Sequence, residues 1–242
     1  LIVLLSIGVV TVLSIMQSSS ALMGSQFNQL RAIRDIKRGQ VENYFDERRG
    51  DLNVLVNTVK SLEQEAFTKL EGVTESKSAA VEHYFSENTV GFENIVPGGR
   101  VHRAMNAIIQ PRSGLGNTGE TYLMEERNGR YYFRSDMQTM GDGRYVFGWD
   151  ATDIAPEYSI RALEGESGSD VFTDSAGELV MVVFRPLSIP GMNWAIITKM
   201  DIEEAVVPTL SGHTEDFYTE YIDEYGYYDL FLIHPEGKIF YT

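Results

Sequence analysis

Arg134 and Asp136 stand two residues apart at the end of an apolar, aromatic run, RYYFRSD. If that run is a strand, both side chains leave it on the same face. A fixed guanidinium beside a carboxylate could grip a small carboxylate or zwitterion, because charge-assisted hydrogen bonds are strong and directional. A pocket of that kind also needs aromatic walls and a few placed polar groups. Tyr122, Tyr145 and Trp149 could supply them, with Asp150 and Asp153 in the loop that follows. The plainer reading makes Arg134 and Asp136 a structural pair that closes a hairpin, with Tyr122 and Trp194 as core.

Other chemistries find less support. The chain contains no GxSxG, no HExxH, no phosphate-binding loop and no dinucleotide fingerprint. Its carboxylates are many, but none is paired by sequence as acid and base, so no enzyme is expected. Four His and no Cys give neither a soft-metal site nor a disulfide framework. Asp142-Gly143, Asp170 and Asp174 lack the regular spacing of a calcium loop. No metal and no cofactor are expected. A net charge of −15 repels phosphates and argues against nucleic acid as a partner.

The elements that must position these residues can be read from periodicity. The first sixteen residues, LIVLLSIGVVTVLSIM, are uncharged, and no charge appears before Arg31. A span needs about 20 mostly apolar residues, so a membrane anchor over 1–22 is expected. A cleaved secretory signal, with SSSA as its small-residue site, is the rival. From about Ser25 to Ile95 apolar residues recur at three and four, without Pro, which predicts long helices with possible bends at Gly39 and Gly50. Within them one helix is nearly written twice: Leu30, Lys37, Val41, Tyr44 and Phe45 recur forty residues later as Leu70, Lys77, Val81, Tyr84 and Phe85. Each Val-Tyr-Phe set makes one helical stripe, which packing explains more simply than a ligand cage.

Val96-Pro97-Gly98-Gly99 breaks that pattern, and a short helix is expected over His102–Gln110. Strands follow at Thr121–Glu125, Tyr131–Ser135, Gly168–Thr173, Leu179–Pro186 and Asn193–Met200. Asn128-Gly129 is a strong hairpin signal between the first two. Turns at Asp174–Gly177 and Ser188–Met192 join the others. The fold class is therefore α+β, an antiparallel sheet covered on one face by helix. A further amphipathic helix after His213 would bury Phe217, Tyr218, Tyr221 and Ile222. The start at Leu1 rather than Met, and an end inside the hairpin-like PEGKIFYT, suggest a piece of a larger protein.

Two segments carry a family resemblance: SGLGNTGETYLMEERNGRYYFRSD and GELVMVVFRPLSIPGMNWAIITKMDIEEAVVP. Together they resemble the Cache-type, PAS-like sensory domain of bacterial transmembrane receptors such as methyl-accepting chemotaxis proteins. VENYFDERRGDLNVL looks like the lead-in such receptors place between membrane and sensor, and GYYDLFLIHPEGKIFYT resembles the first hairpin of another module. The resemblance implies an anchor (1–22), a helical stalk with the repeat (23–112), a Cache-like sensory domain (113–205) and the start of a second module (206–242). It further implies one small-molecule ligand, a homodimer through the long helices, and a helix movement passed to a cytoplasmic signalling domain. The bulk of the chain would lie outside the inner membrane, in the periplasm. Amino-acid-binding versions usually carry an Arg-x-Trp-Tyr run, which is missing here, so a small organic acid is the preferred guess. The alternative is a membrane-anchored assembly subunit that self-associates without a ligand.

Overall fold

The structure, a computed structural model, describes residues 2–138, 145–174, 177–209, 212 and 214–242. The expected helices form one element, α1, which runs from Ile2 to Glu87 without a break at Gly39 or Gly50. Its N-terminal part is long and apolar enough to cross a membrane. Two compact units divide the chain, Leu1–Thr58 and Val59–Thr242.

In the second unit a short 3-10 helix (Phe92–Asn94) and α2 (Arg100–Ile109) precede a five-stranded antiparallel sheet. Its strands are β1 (Glu120–Arg127), β2 (Arg130–Phe133), β3 (Gly168–Thr173), β4 (Leu179–Leu187) and β5 (Asn193–Asp201), in the order β2-β1-β5-β4-β3. The strands fall where the apolar runs place them. The β1–β2 turn is carried by Asn128 (φ 57°) and Gly129 (φ 75°), two successive left-handed residues whose twist matches that of the flanking strands.

Both faces of the sheet are covered, not one. On the first face Tyr122, Met124, Phe133, Val182, Phe184 and Ile197 pack beneath α3 (Glu157–Leu163), through Tyr158, Ala162 and Leu163. The segment after β2 closes the same face with Met137, Val146 and Ala151, and it pairs its backbone with the free edge of β2. Phe133 N donates to Trp149 O at 3.1 Å, and Ala151 N to Tyr131 O at 2.8 Å. An open sheet edge is thereby protected.

The opposite face carries Leu123, Met181, Val183, Trp194 and Ile196 against α1 and α2. The second copy of the repeat lies here: Leu70 and Val81 are fully buried, Phe85 is 8% exposed, and its ring meets Trp194 edge-on at 5.2 Å. Fully burying each such side chain contributes about 1.5–3 kcal/mol. The first copy differs: Leu30 is 61%, Val41 55%, Tyr44 53% and Phe45 62% exposed. After β5 come α4 (Ile202–Val206), α5 (Phe217–Tyr225), and a small hairpin of β6 (Leu232–Ile233) and β7 (Ile239–Tyr241). Asp216 caps α5 by accepting from Tyr218 N and Thr219 N. His213 and Asp142-Gly143 lie outside the described residues.

Candidate functional site

The strand alternation of β1 sorts its side chains. Glu120 and Tyr122 project to the α3 face, Thr121 and Leu123 to the α1 face. Lys199 stands directly opposite Glu120 on β5, so it joins the α3 face too. Its Nζ lies 3.5 Å from Glu120 Oε1 and 3.7 Å from Asp174 Oδ2, at the turn between β3 and β4. Glu120 is buried and also accepts from Gln138 N at 3.1 Å. Next along β1, the Tyr122 hydroxyl sits 3.1 Å from Ser159 Oγ on α3, with Tyr158 beside it.

This is a polar cluster at one end of an otherwise apolar face. Lys199 offers an ammonium, Glu120 and Asp174 offer acceptors, and three hydroxyls can donate or accept. Burial dominates its titration. It pushes the Tyr158 phenol up to about 12 and the Tyr122 phenol well above its ordinary value. At the same sheet end, burial also raises the Asp201 carboxyl, with Lys199 pulling against the rise and Asp174 adding to it. Both phenols therefore stay protonated at neutral pH and can act as hydrogen-bond donors.

The structure does not bring the six nominated residues together. Tyr122 belongs to the cluster just described. Arg134 is buried on the α1/α2 side, where its Nε donates to Glu125 Oε2 at 2.8 Å and its Nη2 reaches the same oxygen. Its guanidinium lies over Tyr132 and Phe147, at 5.2 and 5.8 Å from the ring centres. Asp136 is a knot between α2 and the segment after β2. Its carboxylate accepts from His102 Nε2 (2.8 Å), Asn106 Nδ2 and Phe147 N (3.1 Å), and its backbone bonds Asn106 and Gln110. Tyr145 is 77% exposed and Trp149 48% exposed. Asp150 is an exposed partner of Arg130 at 2.8 Å and of Thr152.

Sequence reading missed Glu120, Tyr158, Ser159, Asp174 and Lys199 as a group. Glu120 and Lys199 break the apolar alternation of the α3 face of their strands, and that was the available signal.

Two ties connect the cluster to the helices. On the reverse side of β1, the buried Lys77 of α1 donates to Thr121 Oγ1 at 3.0 Å and to Ile109 O, at the end of α2, at 2.7 Å. On α4, Glu204 accepts from Asn117 N (2.5 Å), Thr118 N (2.6 Å) and the Thr118 hydroxyl, which fixes the loop entering β1. The left-handed Gly116 (φ 62°) leaves room for that carboxylate, since a Cβ there would sit 2.3 Å from Glu204 Oε1.

No protein-family model matches the chain, and no curated protein matches it. Among solved structures it is similar to the ligand-binding domain of the Campylobacter jejuni chemoreceptor Tlp3 in complex with L-valine, at 12% identity over 65% of each chain, with a TM-score of 0.42. The sensory domain of the same receptor gives 13% identity over 78% of this chain and 71% of that one, with a TM-score of 0.41. The ligand-binding domain of the Pseudomonas aeruginosa PAO1 amino acid chemoreceptor PctC in complex with GABA gives 16% identity over 71% and 66%, with a TM-score of 0.37. The chain spans about 65% of the length of the first of these.

Proposed function

We propose that this chain is the ligand-sensing, extracytoplasmic region of a bacterial transmembrane receptor, with the Glu120–Lys199–Asp174 cluster and the Tyr122 and Tyr158 hydroxyls holding a small polar metabolite. One observation carries the reading: buried charges and protonated phenols are gathered on the face that α3 covers, in a sheet whose other face rests on the long helix. Burying such groups is unfavourable unless they are hydrogen-bonded or paired, as they are here, and clusters of strongly perturbed titratable groups mark functional sites more often than chance. Lys199 suits the carboxylate of an organic acid. Tyr122 alone of the six nominated residues belongs to this site. Arg134 and Asp136 are bonded to Glu125 and to His102 and Asn106, and Tyr145, Trp149 and Asp150 stand apart from the cluster.

The same geometry supplies a route for the signal. β1 carries Glu120 and Tyr122 toward the ligand, while its next residue, Thr121, is bonded to Lys77 of α1. A ligand that shifts β1 pulls on that helix, and the helix conveys the displacement through the inner membrane to a cytoplasmic signalling domain. A panel of small metabolites tested by thermal shift on the full chain in detergent, against a Lys199→Met variant, checks the reading. At 100 times Kd a ligand adds about 2.7 kcal/mol to the folded state. The expected result is a raised melting temperature in the parent protein that the variant loses. A panel without effect on either protein favours the assembly subunit instead.

The partner reading follows from the first copy of the repeat. Leu30, Val41 and Leu52 lie eleven residues apart, as do Ile33 and Tyr44, and all five are exposed. An eleven-residue repeat sets 3.67 residues per turn and gives a helix pair with a right-handed supercoil. The flanking charges are already satisfied within the chain, Arg38 by Glu42 and Arg49 by Asp46. The stripe therefore offers apolar surface with little charge to desolvate, and two copies anchored in one membrane would meet along it in parallel.

A further inference from the structure

A groove of about 690 Å³ lies between α1 and the segment that leaves α2, on the α1 side of the sheet and away from the Lys199 cluster. Val73, Ala80, Ile108 and Pro111 give it apolar walls, and Ser76 and Ser113 add hydroxyls. Two glycines keep it open. At Gly72 an added Cβ would meet nothing within 4 Å, and at the left-handed Gly114 (φ 83°) it would come 3.3 Å from Val73 Cγ2. That size and that lining suit a small molecule.

The charge in the groove has one sign. Lys69 and Lys77 line it and no carboxylate of the described residues does, in a chain whose net charge is −15. Lys69 is exposed and already paired with Glu65 at 2.7 Å. Lys77 differs. It is 8% exposed, and its partners are neutral acceptors, Ile109 O at 2.7 Å and Thr121 Oγ1 at 3.0 Å. Burial alone lowers it, to about 8, so the group remains an ammonium at neutral pH. An ammonium has three donors, and these acceptors take two of them. The carbonyl end of α2 supplies about half a negative charge. A buried ammonium calls for a whole one.

We infer that this groove is a second ligand site, built for a small monocarboxylate whose acid group pairs with Lys77 and whose carbon chain lies along Val73, Ile108 and Pro111. A dianion would bring two charges to one buried cation, and an uncharged molecule would leave Lys77 without a counter-charge. The site is separate from the Lys199 cluster and stands whether or not a metabolite binds there. It sits on the tie between β1 and α1, so an acid bound in it acts on the contact through which the sheet reaches the helix.

The test is methyl NMR of the full chain in detergent at pH 7, titrated with hexanoate and with hexanamide, its uncharged counterpart. The expected result is a saturable shift of the Val73 and Ile108 methyl resonances with hexanoate, those of Val182 on the α3 face staying fixed, and a Kd at least tenfold weaker for the amide. Gly72→Leu, which fills the groove and leaves Lys77 in place, should weaken hexanoate at least tenfold. Lys77→Met should bind acid and amide alike, and Lys199→Met should match the parent. The inference is overturned if hexanoate leaves the groove methyls unmoved, if the amide binds the parent as well as the acid does, or if Lys199→Met abolishes binding while Gly72→Leu does not. Groove resonances that follow protein concentration and ignore hexanoate would assign the surface to a second copy of the chain, and would overturn it as well.

Discussion

Replacing Arg134 by Met tests whether that residue holds the fold or the ligand. Its guanidinium and the Glu125 carboxylate form an ion pair with 3% and 1% side-chain exposure. Removing one partner leaves the other charge buried, which destabilises by about 3–5 kcal/mol. Arg127 Nε, 3.9 Å from Glu125 on a half-exposed side chain, can follow the vacated carboxylate and moves the expectation toward the lower end. For a unit of this size, about 2–4 °C is lost per kcal/mol, so the melting temperature should fall by roughly 6–20 °C. Replacing both members, Arg134→Met with Glu125→Leu, removes the stranded charge. The double variant should return to within about 1–2 kcal/mol of the parent. Denaturant unfolding of the four proteins in one detergent provides the cycle. A loss under about 1 kcal/mol in Arg134→Met, or a double variant no better than the sum of the singles, would refute the assignment of Arg134 to the fold.

Three further outcomes follow from the ties around the site. Burial lowers Lys77 from 10.5 to about 8. The unfolded chain therefore keeps a proton that the fold has released between those values, and stability should rise with pH across that window, by at most about 1.4 kcal/mol per unit. Denaturant midpoints at pH 7 and 9.5 should show the rise in the parent protein and its loss in Lys77→Met. For Glu204, burial disfavours the charge, but the Asn117 and Thr118 donors more than offset it, and the carboxyl lies below its ordinary value. Its stabilisation is present above the unfolded pKa and fades as pH falls through the lowered one. Glu204→Gln should cost about 1–3 kcal/mol at pH 7 and much less at pH 3. Cysteine at Tyr44 should cross-link copies of the chain in membranes within minutes of mild oxidation, whereas cysteine at Glu47, off the stripe, should not; equal cross-linking at both sites would remove the stripe as the pairing surface.

Much of the fold was legible because local signals agree there. The five strands follow from apolar runs bounded by turn formers, and Asn128-Gly129 fixes the first hairpin. The register of that hairpin even implies the Arg134–Glu125 pair. With Met124 opposite Phe133, residues 125 and 134 become diagonal neighbours on one face. The same register puts Tyr122 on the opposite face from Arg134, which separates residues that sequence proximity had grouped. Helix α3 was not legible, since EYSIRAL is too short to establish a period. Nor was the polar cluster: Glu120, Asp174 and Lys199 come from two strands and a turn, and only the pairing of β1 with β5 brings them together. The repeat was plain in sequence, but its two environments were not. The residues that bury Leu70, Val81 and Phe85 come from the sheet and α2, and the corresponding positions of the first copy stay exposed.

The most direct measurement places a ligand on the sheet. Fluorotyrosine-labelled protein, with Tyr122 and Tyr158 assigned by single Phe replacements, would be titrated with a metabolite that raises the melting temperature. Saturable displacement of the Tyr122 and Tyr158 fluorine resonances, with Tyr44 unmoved, is the predicted result. Displacement confined to other tyrosines, or none at ligand concentrations that stabilise the protein, would contradict a sensor built on the α3 face.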